Sequence, residues 1–262
     1  MSDWSFNNDQ LNEMTINKFE VLEYLGNGSM GRAYLAEYIE NGRIYVLKYI
    51  KKDRFLIGQG LLLSLKIRHK NFIRCYGYFT ENIDNEIYYV SILEFFQGYN
   101  LTDVLISPEI IDKLSIIKQL VDAVKYLHGI NLVHRDIKDE NILINEKGII
   151  KILDYDFLMD MNNKDNEKCG TIYYVSPETL LGKSINEKTD LWSLGVTIYI
   201  ILTKLYPFEG NEAEDVTFSI VHSEPDLSIV PWKYKEIIKG LLQKDPSKRI
   251  SLDRVKEILK NL

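Results

Sequence analysis

Between Phe19 and Phe96 apolar residues come in short runs broken by glycine and by Asn-Gly pairs, the pattern of strands joined by tight turns. Phe19–Leu25, Arg32–Ile39, Arg43–Ile50, Ile73–Phe79 and Ile87–Phe95 are predicted strands, together a five-stranded antiparallel sheet. Leu56–Ile67 is a helical stretch among them, weakened by Gly58 and Gly60, each worth about 1 kcal/mol against a helix. Past Gly98 the apolar spacing becomes helical, over Ile110–Gly129, Thr189–Leu205, Trp232–Gln243 and Leu252–Leu262. Pro177, Pro207, Pro225, Pro231 and Pro246 punctuate these stretches. Residues 1–17 are polar and Asn-rich without a clear period and are expected to form a leader. The expectation is an α+β chain: a small antiparallel β-lobe over about 18–96, and a larger, mainly α-helical lobe over about 97–262.

Composition narrows the partners. The chain has 262 residues, 45% hydrophobic and 27% charged, and a net charge of −6, so no basic stripe marks nucleic acid or an acidic membrane as a partner. Its two cysteines, Cys75 and Cys169, lie far apart without metal-ligand spacing, which argues against structural zinc or a disulfide framework and for a reducing compartment. Met1-Ser2-Asp3-Trp4 lacks the apolar segment of a secretory signal, and Val196–Leu202 is too short an apolar run to span a bilayer. The expected location is the cytoplasm, with the nucleus as the alternative. Oligomeric state is not legible.

The most informative run is His134-Arg135-Asp136-Ile137-Lys138-Asp139-Glu140-Asn141, followed by Asp154. It puts a carboxylate, a cation and an amide on one short loop. A second carboxylate then arrives after a predicted hairpin, Ile142–Ile144 and Ile149–Leu153, with Lys147-Gly148 at its turn. Such a set can hold a metal-bound nucleotide and accept a proton from a hydroxyl. Upstream, Gly26-Asn27-Gly28-Ser29-Met30-Gly31 is a G-x-G-x-x-G run between two predicted strands, a setting that suits a hairpin flap over phosphates rather than a dinucleotide fold. Lys48 follows on the third strand.

Flap, lysine, loop and second carboxylate in this order resemble the eukaryotic protein kinase family over residues 19–262. The resemblance implies a two-lobed kinase fold and transfer of the γ-phosphoryl group of ATP to protein hydroxyls. By that likeness Asp136 orients and deprotonates the substrate hydroxyl, Lys138 steadies the transferring group, and Asn141 and Asp154 hold Mg²⁺, with Mn²⁺ as an alternative. Gly26, Gly28, Gly31 and Lys48 would hold the phosphates. Ala33, Val46, Leu93 and the hinge Glu94-Phe95-Phe96 would line the adenine site. Lys138 with Gly170-Thr171 resembles Ser/Thr rather than tyrosine kinases and adds Thr171 to the catalytic set. Ser176-Pro177-Glu178 and Asp190–Gly195 are further family marks, and Arg249 resembles the arginine that pairs with Glu178. His134–Asn141 is most like the calcium/calmodulin-dependent kinase group and its PAS-domain-kinase relatives. Glu140 resembles an acidic residue that favours basic protein substrates, a pattern that Asn100 weakens.

The chain departs from the family in three places. No glutamate stands between Lys48 and Glu81 to pair with the strand lysine; Gly60, beside Gln59, occupies the expected position. The metal-binding motif reads Asp154-Tyr155-Asp156, with Asp156 where the family has glycine. Tyr155–Gly170 contains no serine or threonine, and Glu167 stands where relatives are phosphorylated, which points to a segment that needs no phosphate. The first two departures support the competing reading, a pseudokinase scaffold. A small-molecule kinase is a third reading, disfavoured because Gly170–Glu178 so resembles a peptide-binding segment.

Overall fold

The structure, a computed structural model, describes residues 6, 8–27, 31–52, 55–107, 111–163, 170–183 and 185–262. The chain divides into two compact units, Met1–Gln97 and Gly98–Leu262.

The first unit runs α1 (Asn8–Asn12), β1 (Phe19–Asn27), β2 (Gly31–Tyr38), β3 (Arg43–Lys51), α2 (Phe55–Ser64), β4 (Cys75–Ile83) and β5 (Glu86–Glu94). Its five strands form one antiparallel sheet in the order β1-β2-β3-β5-β4. The turns follow from their residues. Asp84 and Asn85 both take positive φ, the mirror-image turn that matches strand twist, and these side chains tolerate it. Gly31 is required by contact. It faces Ile50 across the β2–β3 ladder, and a Cβ there would stand 2.0 Å from the Tyr49 carbonyl oxygen.

Alternation sorts the sheet into two faces. Ala36, Tyr38, Tyr45, Leu47, Val90 and Ile92 are buried on one of them, packed with Phe79 and Phe19. Phe6 and Met14, inside the stretch expected as a polar leader, are buried in the same cluster. Phe6 meets Tyr38 edge-on at 5.2 Å and Tyr76 at 6.5 Å. Leu11 of α1 packs against this cluster and lies over Gly77 of β4, where an added Cβ would come within 2.2 Å of its Cδ2. We expect Gly77→Ala to push α1 off the sheet at a cost of about 1–2 kcal/mol. Amide exchange should then quicken in residues 8–18 while β3 and β5 stay protected; unchanged protection of 8–18 would contradict this packing.

The second unit contains β6 (Tyr99–Asn100), α3 (Leu101–Ile106), α4 (Lys113–Gly129), β7 (Leu132–Val133), β8 (Ile142–Ile144), β9 (Ile150–Ile152), β10 (Met159–Asp160), α5 (Pro177–Leu180), α6 (Glu187–Thr203), α7 (Ala213–His222), α8 (Lys235–Leu241) and α9 (Leu252–Lys260). Every residue of α6 from Thr189 to Leu202 is buried, as its near-continuous apolar run requires. It packs on α4 and α8, and α9 packs on α4. The predicted helix over Trp232–Gln243 is a 3-10 turn, Trp232–Tyr234, continued by α8. The apolar pattern does not mark α3 or α7. Their starts are local chemistry: Asn100 caps α3 by accepting from the Thr102 amide, and Glu212 with Asp215 forms a capping box on α7. No helix among the described residues is long and apolar enough to cross a membrane.

Small sheets carry the loops of interest. β6-β8-β9 form one and β7-β10 another. In the β8–β9 hairpin Gly148 takes φ +70, and the Asn145 carboxamide oxygen accepts from the Lys147 and Ile149 amides, both at 3.0 Å. That turn delivers Asp154 just past the end of β9.

Candidate active site

In the first unit the sheet register groups the expected nucleotide-binding residues. Ala33 lies opposite Lys48, Lys48 opposite Ser91, and Val46 opposite Leu93. Directly paired residues project to the same side, so Ala33, Val46, Lys48 and Leu93 share the face opposite the aromatic cluster. Gly26 takes φ +139 near the end of β1, facing Ala33 of β2. Gly28 lies outside the described residues. Glu94 is turned the other way: its carboxylate accepts from the Arg74 amide at 3.0 Å, and its own amide donates to the Arg74 carbonyl at 2.8 Å. Phe96 follows β5, half-buried. None of the residues of α2 is acidic, so this helix carries no carboxylate for Lys48.

In the second unit the catalytic-loop residues converge. The Asn141 amide nitrogen donates to the Asp136 carbonyl at 3.0 Å and to Asp136 Oδ2 at 2.8 Å. That fixes the Asn141 carboxamide so that its oxygen points away from Asp136. Asp136 is 6% exposed, and its Oδ1 is buried without a hydrogen-bond partner among the described residues. Lys138 donates to Thr171 Oγ1 at 2.7 Å and lies 3.0 Å from Glu140 Oε2 and 3.6 Å from Asp136 Oδ2. Burial opposes the charge on Lys138, but the Asp136 carboxylate, together with Glu140 and Asp154, outweighs it and raises the ammonium pKa. Asp136, Lys138, Asn141 and Thr171 are thus in direct contact, and Asp154 is near enough for its charge to act on Lys138.

Two backbone features hold this loop. Arg135 and Asp154 take φ of +68 and +60, a conformation costly for a non-glycine residue unless its surroundings impose it. Asp190, fully buried at the start of α6, imposes it on the loop. Its Oδ2 accepts from the His134 amide at 2.9 Å and lies 2.8 Å from His128 Nε2, while its Oδ1 accepts from the Arg135 amide at 2.9 Å. Burial alone would raise the pKa of Asp190; the His128 hydrogen bond and charge, with the His134 contacts, reverse this and hold the carboxyl below its ordinary value. Arg135 Nε donates to the Phe157 carbonyl at 2.6 Å, tying the loop to the segment after Asp154. Gly170, at φ +101, lets that segment return: a Cβ there would meet the Arg135 carbonyl oxygen at 3.0 Å.

Asp156 answers one of the departures. Its φ is negative, so nothing in this backbone demands the missing glycine, and its amide donates to Asp154 Oδ1 at 3.1 Å. Glu178 and Arg249 form the pair that the resemblance implies, with bonds of 2.6 Å from each terminal nitrogen. Cys169 and Glu167 lie outside the described residues. The parts played by His128 and Asp190 in shaping the loop are not readable from motif spacing. A buried acid at the head of an apolar helix is the one available hint.

These features define a protein kinase, and the chain belongs to that family: the protein kinase domain matches residues 19–261. It is 36% identical over 262 residues to an Aurora kinase of Schizosaccharomyces pombe, covering 94% of this chain and 72% of the relative. With Aurora kinase C of Mus musculus it shares 35% identity, over 92% of this chain and 90% of the relative. Calcium-dependent protein kinase 4 of Plasmodium berghei is 32% identical over 94% of this chain and 52% of the relative. The chain is an ATP-dependent Ser/Thr protein kinase.

Proposed function

We propose that Asp136 is the base of this kinase and that Lys138 carries the charge of the phosphoryl group in transit. The observation that supports this most is the asymmetry of the Asp136 carboxylate. Oδ2 is fixed by Asn141, whereas Oδ1 is buried and unpartnered among the described residues, an acceptor kept for an incoming hydroxyl proton. Lys138, raised in pKa, stays cationic at neutral pH and bonds to Thr171, so that the cation and the peptide-side segment are held together. Phosphoryl transfer needs positioning and charge neutralisation more than covalent help, and this loop supplies both.

Gly26, Gly28, Gly31, Ala33, Val46, Lys48 and Leu93, with the main chain of Glu94 and Phe96, are the proposed ATP contacts. Asn141 and Asp154 offer a carboxamide oxygen and a carboxylate, hard donors of the kind Mg²⁺ takes when phosphates and water complete its shell; Mn²⁺ would suit the same donors. A metal bound there would neutralise charge on the β- and γ-phosphates. The preference for basic substrates rests on Glu140. Its pairing with Lys138 at 3.0 Å absorbs part of that charge, so we expect the preference to be mild. Within the family, the likeness of His134–Asn141 to calcium/calmodulin-dependent and PAS-domain kinases covers eight residues, whereas over more than nine-tenths of the chain the two Aurora kinases are 36% and 35% identical to it, against 32% for calcium-dependent protein kinase 4. Whole-chain identity is the better guide to subfamily. A cytoplasmic or nuclear location remains our expectation.

The defining experiment is radiolabelled phosphate transfer from ATP, with Mg²⁺ or Mn²⁺, to a mixed Ser/Thr peptide library. No transfer with either metal would favour the scaffold reading. Lys48→Met should raise the KM for ATP or lower turnover on the order of tenfold, the weight of a charge-assisted phosphate contact. A change under twofold would mean that Lys48, without a helix glutamate, does not engage the nucleotide.

A further inference from the structure

The catalytic-loop signature leaves the three positions between Ile137 and Asn141 open, and Asp139 fills the middle one. Its side chain is buried, 3% exposed, and among the described residues no cation pairs with it. Two hydroxyls from distant parts of the second unit converge on it. Thr102 of α3 donates its Oγ1 proton to Asp139 Oδ2 at 2.7 Å, and Tyr174 donates its hydroxyl proton to Asp139 Oδ1. Tyr174 is 2% exposed; burial and then the Asp139 charge push its pKa far up, so that it remains a donor.

Tyr174 closes a 3-10 turn, Ile172–Tyr174, in the segment that begins at Thr171. That segment is therefore clipped to the catalytic loop twice, by adjacent loop residues: Lys138 holds Thr171, and Asp139 holds Tyr174. A third clip comes from α6, where Ser193 Oγ donates to the Tyr174 carbonyl at 2.9 Å. The Tyr173 ring is stacked on Tyr206 at 4.4 Å. The first clip uses a lysine with catalytic duties. The second uses a carboxylate whose two oxygens both accept from hydroxyls of the protein, and a buried charge without a catalytic duty is otherwise a liability.

We propose that Asp139 is a positioning residue for the protein substrate: through Tyr174 and Thr102 it sets the height of the peptide-binding segment over the catalytic loop. This rests on the kinase reading above and adds a division of labour, in which the loop holds the proton acceptor at residue 136 and the shape of the peptide platform at residue 139. Asp139 has no part in nucleotide binding.

The test compares steady-state kinetics of the full chain and of Asp139→Ala, Asp139→Asn, Tyr174→Phe and Thr102→Val, with ATP and peptide varied separately. Transfer by the parent chain establishes the kinase reading first; its absence would defeat that reading rather than this one. We expect Asp139→Ala and Tyr174→Phe each to raise the KM for peptide on the order of tenfold, with the KM for ATP within about twofold. Asp139→Asn, which keeps one carbonyl acceptor, should recover part of the loss. Asp139→Ala already breaks the bond that Tyr174→Phe removes, along with the one to Thr102, so the double variant should be little worse than Asp139→Ala alone. Tyr174→Phe keeps the ring and its packing, so it reports on the bond even if Asp139→Ala folds poorly. Equal rises in both KM values, or multiplying effects in the double variant, would overturn the proposal.

Discussion

An Asp136→Asn enzyme will bind nucleotide as the parent does and transfer almost no phosphate. The substitution keeps the size of the side chain and an oxygen able to accept from Asn141, whose bonds to Asp136 also include the 3.0 Å contact to its main-chain carbonyl. The loop therefore keeps its shape. What is lost is the acceptor: an amide cannot take a hydroxyl proton, and general-base assistance contributes roughly 10²–10⁴-fold to such a step. Initial rates of labelled transfer beside nucleotide affinity by calorimetry would separate the two quantities. Loss of both in proportion would sink the role assigned to Asp136.

Arg249→Ala will be the most destabilising single change among those considered. Arg249 grips both oxygens of Glu178, and both side chains are buried. It also donates to the carbonyls of Lys188 at 2.7 Å and Gln243 at 2.9 Å and lies over the Trp192 ring. Removing it strands a carboxylate out of water, a loss of about 3–5 kcal/mol. At about 2–4 °C per kcal/mol for a chain of this size, the melting temperature should fall by roughly 6–20 °C. Arg249→Lys should recover little, since an ammonium cannot reproduce the two-pronged contact. Replacing both partners with apolar residues should recover more, because no charge is then stranded. Calorimetric melting of the four proteins checks this order; a fall under 2 °C for Arg249→Ala would refute it.

Strand positions in the first unit were legible because tight turns advertise themselves. Asn41-Gly42 and Asp84-Asn85 can take positive φ, and alternation on either side sets the register. The β8–β9 hairpin was readable for the same reason at Gly148. Among the helices that escaped, α3 is too brief to show a period, whereas α7 is as long as α9; in both, the caps were the better signal. Residues 1–17, expected as a polar leader, misled for a different reason. Their polar composition masks four apolar side chains, Phe6, Leu11, Met14 and Ile16, whose partners lie on strands far along the chain. The site divides in the same way. Asp136, Lys138, Asn141 and Asp154 could be singled out as candidates because such chemistry requires a fixed local spacing. The joining roles of Asp190 and Asp139 could not, because each connects segments that only the folded chain brings together.

That N-terminal packing sets an order of events during synthesis. Phe6, Leu11 and Met14 leave the ribosome before the surface they cover, which includes Tyr76, Gly77, Phe79, Val90 and Ile92. Until β4 and β5 have joined the sheet, the nascent chain must carry those three side chains unburied. Residues made before the sheet are thus seated after it, and chain growth past β5 is the step that lets them close over the aromatic face.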